Sequence, residues 1–165
     1  MRLFMAVDLS EPMKKALIGT MHDLKKQGVE GSYVPAANLH MTPAFLGEVK
    51  EPEKVMEVMK QFPVEKSRLS FSQFGHFGDV FWVGIKGNQK IKKYAADLRK
   101  ALKEAGLPCD TSKFEPHVTL IRRQKGRIPD SLSVPEADMT VTKVSLMKSE
   151  MKDQKRRYTE IFSVR

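Results

Sequence analysis

A chain of 165 residues suits one domain with a continuous core, or two small lobes that share one, and is too short for two independently folding domains. With 41% hydrophobic and 30% charged residues it has the balance of a soluble globular protein, and it lacks the run of about 18 apolar residues that a membrane-spanning helix needs, so no membrane role is expected. The net charge of +9 favours polyanionic partners, and the single Cys109 excludes an internal disulfide or a multi-cysteine zinc site, so a cytoplasmic protein is expected.

The start, Met1 to Asp8, is too short for the apolar region of a signal peptide, and Leu3 to Leu9 reads as a mostly buried strand. Ser10 then caps a helix with Pro12 in its first turn, in which Met13, Ala16, Leu17, Met21 and Leu24 recur at helical spacing until Gly28. Pro35 to Asn38 is a short loop, and Leu39 to Leu46 is a strand ending at Gly47. Pro52 opens a second helix carrying Val55, Met56 and Met59, closed by Pro63. Ser67 to Phe74 and Val80 to Lys86 are expected as a hairpin around the turn Gly75-His76-Phe77-Gly78-Asp79. Asn88 is placed to cap a third helix whose stripe is Ile91, Tyr94, Ala95, Leu98 and Leu102, ending at Gly106.

After a polar stretch from Pro108 to Glu115, His117 to Ile121 reads as another strand. A loop from Lys125 to Pro135, a strand from Met139 to Met147, a charged connection from Lys152 to Arg157 and a strand from Tyr158 to Val164 complete the chain. The order predicts an α+β fold: a largely antiparallel sheet system, concave on one side, with helices on its outer faces.

Two short patterns carry the chemistry: Asn38-Leu39-His40-Met41-Thr42 and Glu115-Pro116-His117-Val118-Thr119, each a His-x-Thr among apolar residues. In a strand, residues i and i+2 share a face, so each motif aims an imidazole and a hydroxyl the same way. Histidine's pKa of about 6.5 lets one ring give a proton while another accepts one near neutral pH, work typically worth about 10²–10⁴-fold per group. Threonine hydroxyls suit non-bridging phosphate oxygens. This scheme requires no metal and no cofactor, and threonine is a poor zinc ligand in any case. One His-x-Thr alone is weak evidence, because threonine suits a strand without any function. Two copies in matching settings point to a site.

His22, in the first helix, and His76, without a threonine at i+2, stay outside this site. Phe77, Phe81 and Trp82 are suited to base stacking, although in a strand such side chains are more often core. Lys152, Lys155, Arg156 and Arg157 read as solvated charge that could lengthen an RNA-binding surface.

The chain resembles the 2H phosphoesterase superfamily, and within it the RNA 2′,3′-cyclic phosphodiesterases also called 2′-5′ RNA ligases. The resemblance rests on Met1-Arg2-Leu3-Phe4-Met5-Ala6-Val7-Asp8-Leu9, on Asn38-Leu39-His40-Met41-Thr42-Pro43-Ala44-Phe45-Leu46-Gly47-Glu48 and on Phe114-Glu115-Pro116-His117-Val118-Thr119-Leu120-Ile121-Arg122, and extends to the last strand pair, Val144 through Tyr158 to Val164. It implies a single domain, 1–165, of two pseudo-symmetric lobes facing across a basic cleft, acting on RNA ends or nucleotides that carry a cyclic phosphate. His40 would be the proton donor to the departing 3′ oxygen and His117 the proton acceptor from water. Thr42, Thr119 and Arg122 would bind the phosphate. Hydrolysis to a 2′-phosphate, with 2′-5′ joining of RNA ends as a further family activity, is the implied reaction; a monomer is expected. Two alternatives remain: the same chemistry on a small cyclic nucleotide or 2′-5′ oligonucleotide, and a non-catalytic module that binds RNA ends.

Two residues carry structural conditions. Pro43 has no N–H to donate, which predicts an edge strand or a bulge at that point. Arg122 lies at odd separation from His117 and would face away from it in a regular strand, so its place in the site needs a twist, a bulge or a long reach.

Overall fold

The fold is built from two strand–helix–strand units of one design that exchange their helices. The computed structural model describes residues 1–165. In the first unit β1 (Arg2–Asp8) leads through α1 (Glu11–Lys26), a short strand β2 (Glu30–Tyr33) and a 3₁₀ turn (Ala36–Asn38) to β3 (His40–Glu48), which pairs antiparallel with β1. After α2 (Pro52–Lys60) and β4 (Ser67–Phe77), the second unit begins with β5 (Val80–Lys86) and leads through α3 (Gln89–Glu104) to β6 (His117–Lys125), which pairs antiparallel with β5. The chain ends with β7 (Asp138–Val141), β8 (Val144–Lys152) and β9 (Lys155–Val164). One sheet has the order β3-β1-β8-β9 and the other β2-β6-β5-β4-β7, with every pairing antiparallel. This is the expected α+β arrangement.

The helix within each strand–helix–strand unit covers the other unit's sheet. α1 follows β1 but packs against β7, and its Lys25 ammonium sits 4.7 Å over the Tyr33 ring of β2, so it spans the five-stranded sheet. α3 follows β5 but packs against β3 and α2, and α2 reaches β9. The apolar stripes read from the sequence do this work: Met13, Leu17, Met21 and Leu24 of α1, and Ile91, Ala95, Leu98 and Leu102 of α3, are all buried. Burying each large apolar side chain is worth about 1.5–3 kcal/mol. Both sheets and all three helices feed one contiguous cluster of 32 buried apolar residues. No helix is long and apolar enough to cross a membrane.

Ser10 caps α1 as expected, its Oγ accepting from the Met13 N–H at 3.3 Å, and Gly28 follows the helix at φ 83°. Several expectations change. β4 continues through His76 to Phe77, so the hairpin turn is the two residues Gly78-Asp79 and His76 lies on a strand. Asn88 takes the N-cap position of α3, its carbonyl accepting from the Lys92 N–H, but its side chain makes no capping bond: Nδ2 donates back to the Ile85 carbonyl at 2.5 Å. Glu30–Tyr33 is a strand that carries too few apolar residues to read as one. Met139 to Met147 is two strands in different sheets, because the chain crosses between sheets at Thr142-Lys143, and alternation cannot report which sheet a strand joins. The charged connection Lys152 to Arg157 is instead a tight hairpin whose corner residues, Asp153 and Gln154, take φ of 52° and 64°.

Candidate active site

His40 and His117 open β3 and β6, and these two strands come together where the sheets meet, with Cα atoms within 8 Å. Their local geometry is the same. Each ring Nδ1 lies 2.5 Å from the backbone carbonyl two residues earlier, Asn38 for His40 and Glu115 for His117. A carbonyl only accepts, so Nδ1 carries the proton and donates it, and in the neutral ring Nε2 keeps the lone pair. The intervening Met41 and Val118, at 1% and 0% exposure, anchor the strands in the core, which turns His40 with Thr42, and His117 with Thr119, to the opposite face. All four of these site residues are half-buried.

Both strands then bulge at the same point. Between Met41 and Ala44, β3 advances three residues while β1 advances two, and between Thr119 and Ile121, β6 advances two while β5 advances one. The burial pattern is identical over six positions: half-buried His, buried Met or Val, half-buried Thr, buried Pro43 or Leu120, buried Ala44 or Ile121, exposed Phe45 or Arg122. An extra residue reverses the alternation, so the side chain five positions beyond each histidine returns to the histidine's face. This satisfies both conditions read from the sequence. Pro43 sits in a bulge on an edge strand, and Arg122 lies close enough for its charge to act on His40.

Each imidazole also rests against two aromatic rings. His40 lies 5.1 Å from Phe4 and meets Tyr158 edge-on at 5.5 Å; His117 lies 5.9 Å from Trp82 and meets Phe77 edge-on at 5.2 Å. Trp82 pairs across the sheet with both Thr119 and Gly75. Only glycine fits at that neighbouring position, since a Cβ on residue 75 would fall 2.3 Å from the indole. Of the three aromatics weighed for base stacking, Phe81 is core at 1% exposure, while Phe77 and Trp82 line the site.

The electrostatic settings of the two rings differ. Burial pushes the His40 pKa below its usual 6.5; the Asn38 carbonyl pulls it up, the Arg122 charge pushes it down, Asp8 opposes, and His117 adds a further downward push. Asp8 is the cross-strand partner of His40, whereas the corresponding partner of His117 is Gly84, which offers no charge.

Sequence reasoning missed a clamp on the outer edge of β3. The Arg99 Nε–H donates to the Pro43 carbonyl at 2.9 Å, the Phe45 N–H donates to the Asp110 carboxylate at 3.1 Å, the Asp110 N–H donates to the Phe45 carbonyl at 2.8 Å, and Arg99 pairs with Asp110 at 3.4 Å. Asp110 belongs to the segment that delivers His117, so the clamp ties the bulge of one motif to the approach of the other. Its only sequence signal was an arginine on α3 and an aspartate in a polar loop. Phe4 and Tyr158 were legible only as strand residues. His22 is exposed on α1, and His76 bonds Gln124 at 2.6 Å, away from the site.

Known proteins resemble this chain in sequence and fold. An RNA 2′,3′-cyclic phosphodiesterase of Thermotoga maritima is 32% identical over 134 residues, covering 74% of this chain and 70% of that protein. A protein of the same name from Archaeoglobus fulgidus is 29% identical over 140 residues, covering 79% of this chain and 78% of its own. Among solved structures, E. coli LigT complexed with NADP+ superposes with a TM-score of 0.83 at 26% identity over 99% of this chain and 95% of that one, and LigT complexed with 3′-AMP with 0.80 at 26% over 98% and 95%. The family model described as the 2′-5′ RNA ligase superfamily matches residues 14–153, which include both His-x-Thr strands and the bulges that follow them. With the family model, the relatives and the fold in agreement, this chain belongs to the 2′-5′ RNA ligase superfamily.

Proposed function

We propose that this protein is an RNA 2′,3′-cyclic phosphodiesterase that opens a cyclic phosphate at an RNA end to leave a 2′-phosphate. The observation that carries the reading is the pair of equivalent His-x-Thr arms, each with Nδ1 tied to backbone and Nε2 left for a ligand, at the meeting of the two sheets. The relatives' names supply the substrate class.

In this scheme water attacks phosphorus as the bond to the 3′ oxygen breaks. His117 takes the proton from the attacking water, and His40 gives one to the departing oxygen, so the products are a 3′-hydroxyl and a 2′-phosphate. Thr42 and Thr119 hydrogen-bond the non-bridging oxygens, and the Arg122 guanidinium offsets the charge that accumulates on them. Run with a 5′-hydroxyl in place of water, the same two proton transfers join RNA ends through a 2′-5′ linkage. Every proton and charge is assigned to a side chain, so the scheme asks for no metal.

The test is incubation with an oligoribonucleotide ending in a 2′,3′-cyclic phosphate in the presence of chelator, with the product phosphate located by phosphorus NMR. A 2′-phosphate is expected. A 3′-phosphate would reject the leaving-group assignment, and an unchanged substrate would reject the activity and favour an RNA-end-binding module.

A further inference from the structure

β8 and β9 outrun the sheet they belong to. β1 pairs with β8 only from Leu3 to Ala6, opposite Lys148 to Ser145, so beyond Lys148 the two strands continue as a ribbon with no third strand beside them. Residues 150–157 are all exposed, and a bare two-stranded ribbon gains little from packing. Its charge is one-sided: Lys148, Lys152, Lys155, Arg156 and Arg157 against Glu150 and Asp153. Lys148 pairs with Glu150 at 3.5 Å, while the other four cations stand without a carboxylate partner.

One face of this ribbon is continuous with the active site. Tyr158, whose ring meets His40, pairs with Ser149, and the next pair on that face is Arg156 with Met151. The Arg156 guanidinium is laid across this face by a 3.3 Å hydrogen bond to Ser149 Oγ, and Met151 beside it is 58% exposed. An unbranched, adaptable apolar side chain next to an unpaired guanidinium suits a nucleobase and a phosphate, respectively.

Resting on the proposed function, we infer that the β8–β9 hairpin is a docking arm for single-stranded RNA: it holds the nucleotides immediately upstream of the cyclic end as they leave the cleft past Tyr158. Arg156 takes a backbone phosphate, Met151 packs on a base, and Lys152, Lys155 and Arg157 add sequence-independent attraction. The preferred substrate is therefore an oligonucleotide end rather than a free cyclic nucleotide.

The experiment compares the wild type with a variant combining Lys152→Ser, Lys155→Ser, Arg156→Ser and Arg157→Ser, on mono-, di- and octanucleotides ending in a 2′,3′-cyclic phosphate. In the wild type KM is expected to fall with length, by about tenfold or more at low salt, and to lose that advantage as salt rises. In the variant the octanucleotide's advantage disappears, while Arg156→Lys alone retains most of it. Equal KM at every length in the wild type, or an advantage that survives in the variant, overturns the docking arm. If no substrate turns over, the proposed function fails instead, and fluorescence anisotropy with an octanucleotide ending in a 2′-phosphate still tests the arm. Equal affinity and equal salt dependence for wild type and variant would then reject it.

Discussion

β3 and β6 present the same device in different surroundings. In each, a histidine is fixed by a backbone carbonyl and two aromatic rings, a threonine follows on the same face, and a bulge returns the fifth residue to that face. Around these common parts the chemistry differs: Asp8 lies opposite His40 where Gly84 lies opposite His117, and the bulge delivers apolar Phe45 from β3 but cationic Arg122 from β6. The lesson is that the backbone supplies two interchangeable arms, and the neighbouring charges make them unequal. Arg122 comes from one arm and acts on the histidine of the other.

The largest test removes an arm altogether. His40→Ala and His117→Ala are each expected to lower kcat by about 10²–10⁴-fold. The double variant should be little worse than the poorer single one, since both proton transfers belong to one transition state. Multiplying effects would mean that the arms act in separate steps.

Charge changes around the arms separate the roles of the two histidines. Arg122→Gln is expected to lower kcat/KM by about 10²-fold through lost charge stabilisation, and it also removes a push that keeps the His40 pKa below 6.5, so that pKa rises. If His40 is the acid, its protonated form is active, kcat/KM falls as pH rises through its pKa, and this falling limb moves to higher pH in Arg122→Gln. Asp8→Asn removes an upward pull and should move the same limb to lower pH. Movement of the rising limb instead would identify His40 as the base, so pH profiles of the two variants assign the roles.

A smaller effect is expected from crowding the His117 side alone. Gly75→Ala places a methyl group against the Trp82 indole and should cost about 1–3 kcal/mol of stability. Displacing the indole disturbs the ring against which His117 rests, so kcat should fall while the pH limb set by His40 stays in place. Thermal melting with a pH–rate profile checks both.

Because α1 covers the sheet that β1 does not belong to, and α3 covers the sheet opposite β5, neither half buries its outer face alone. We therefore propose that residues 1–165 unfold as one cooperative unit, with the melting of α1 and of α3 coinciding. Two separated calorimetric transitions would show that the lobes are independent domains.

The local elements were legible because their signals are local. Helical periodicity with Ser10, Gly28, Pro52 and Pro63 marked α1 and α2, and alternation marked the two motif strands and their shared orientation. The β8–β9 corner was not, since its left-handed residues are Asp153 and Gln154 rather than the Asn-Gly that usually announces such a turn. Nor was the break between β7 and β8, because alternation is the same in either sheet.

Alternation within single strands was thus enough to mark the candidate residues: two imidazoles and two hydroxyls at a spacing that any strand turns to one face. What brings them together and surrounds them came from the packed fold alone. The bulges that return Phe45 and Arg122 to the histidine face, the Arg99–Asp110 clamp on Pro43 and Phe45, and the charges of Asp8 and Arg122 around His40 all arise from contacts between residues distant in sequence. Periodicity reports which way a side chain points from its own strand, whereas register, bulges and electrostatic neighbours exist only once another strand lies alongside.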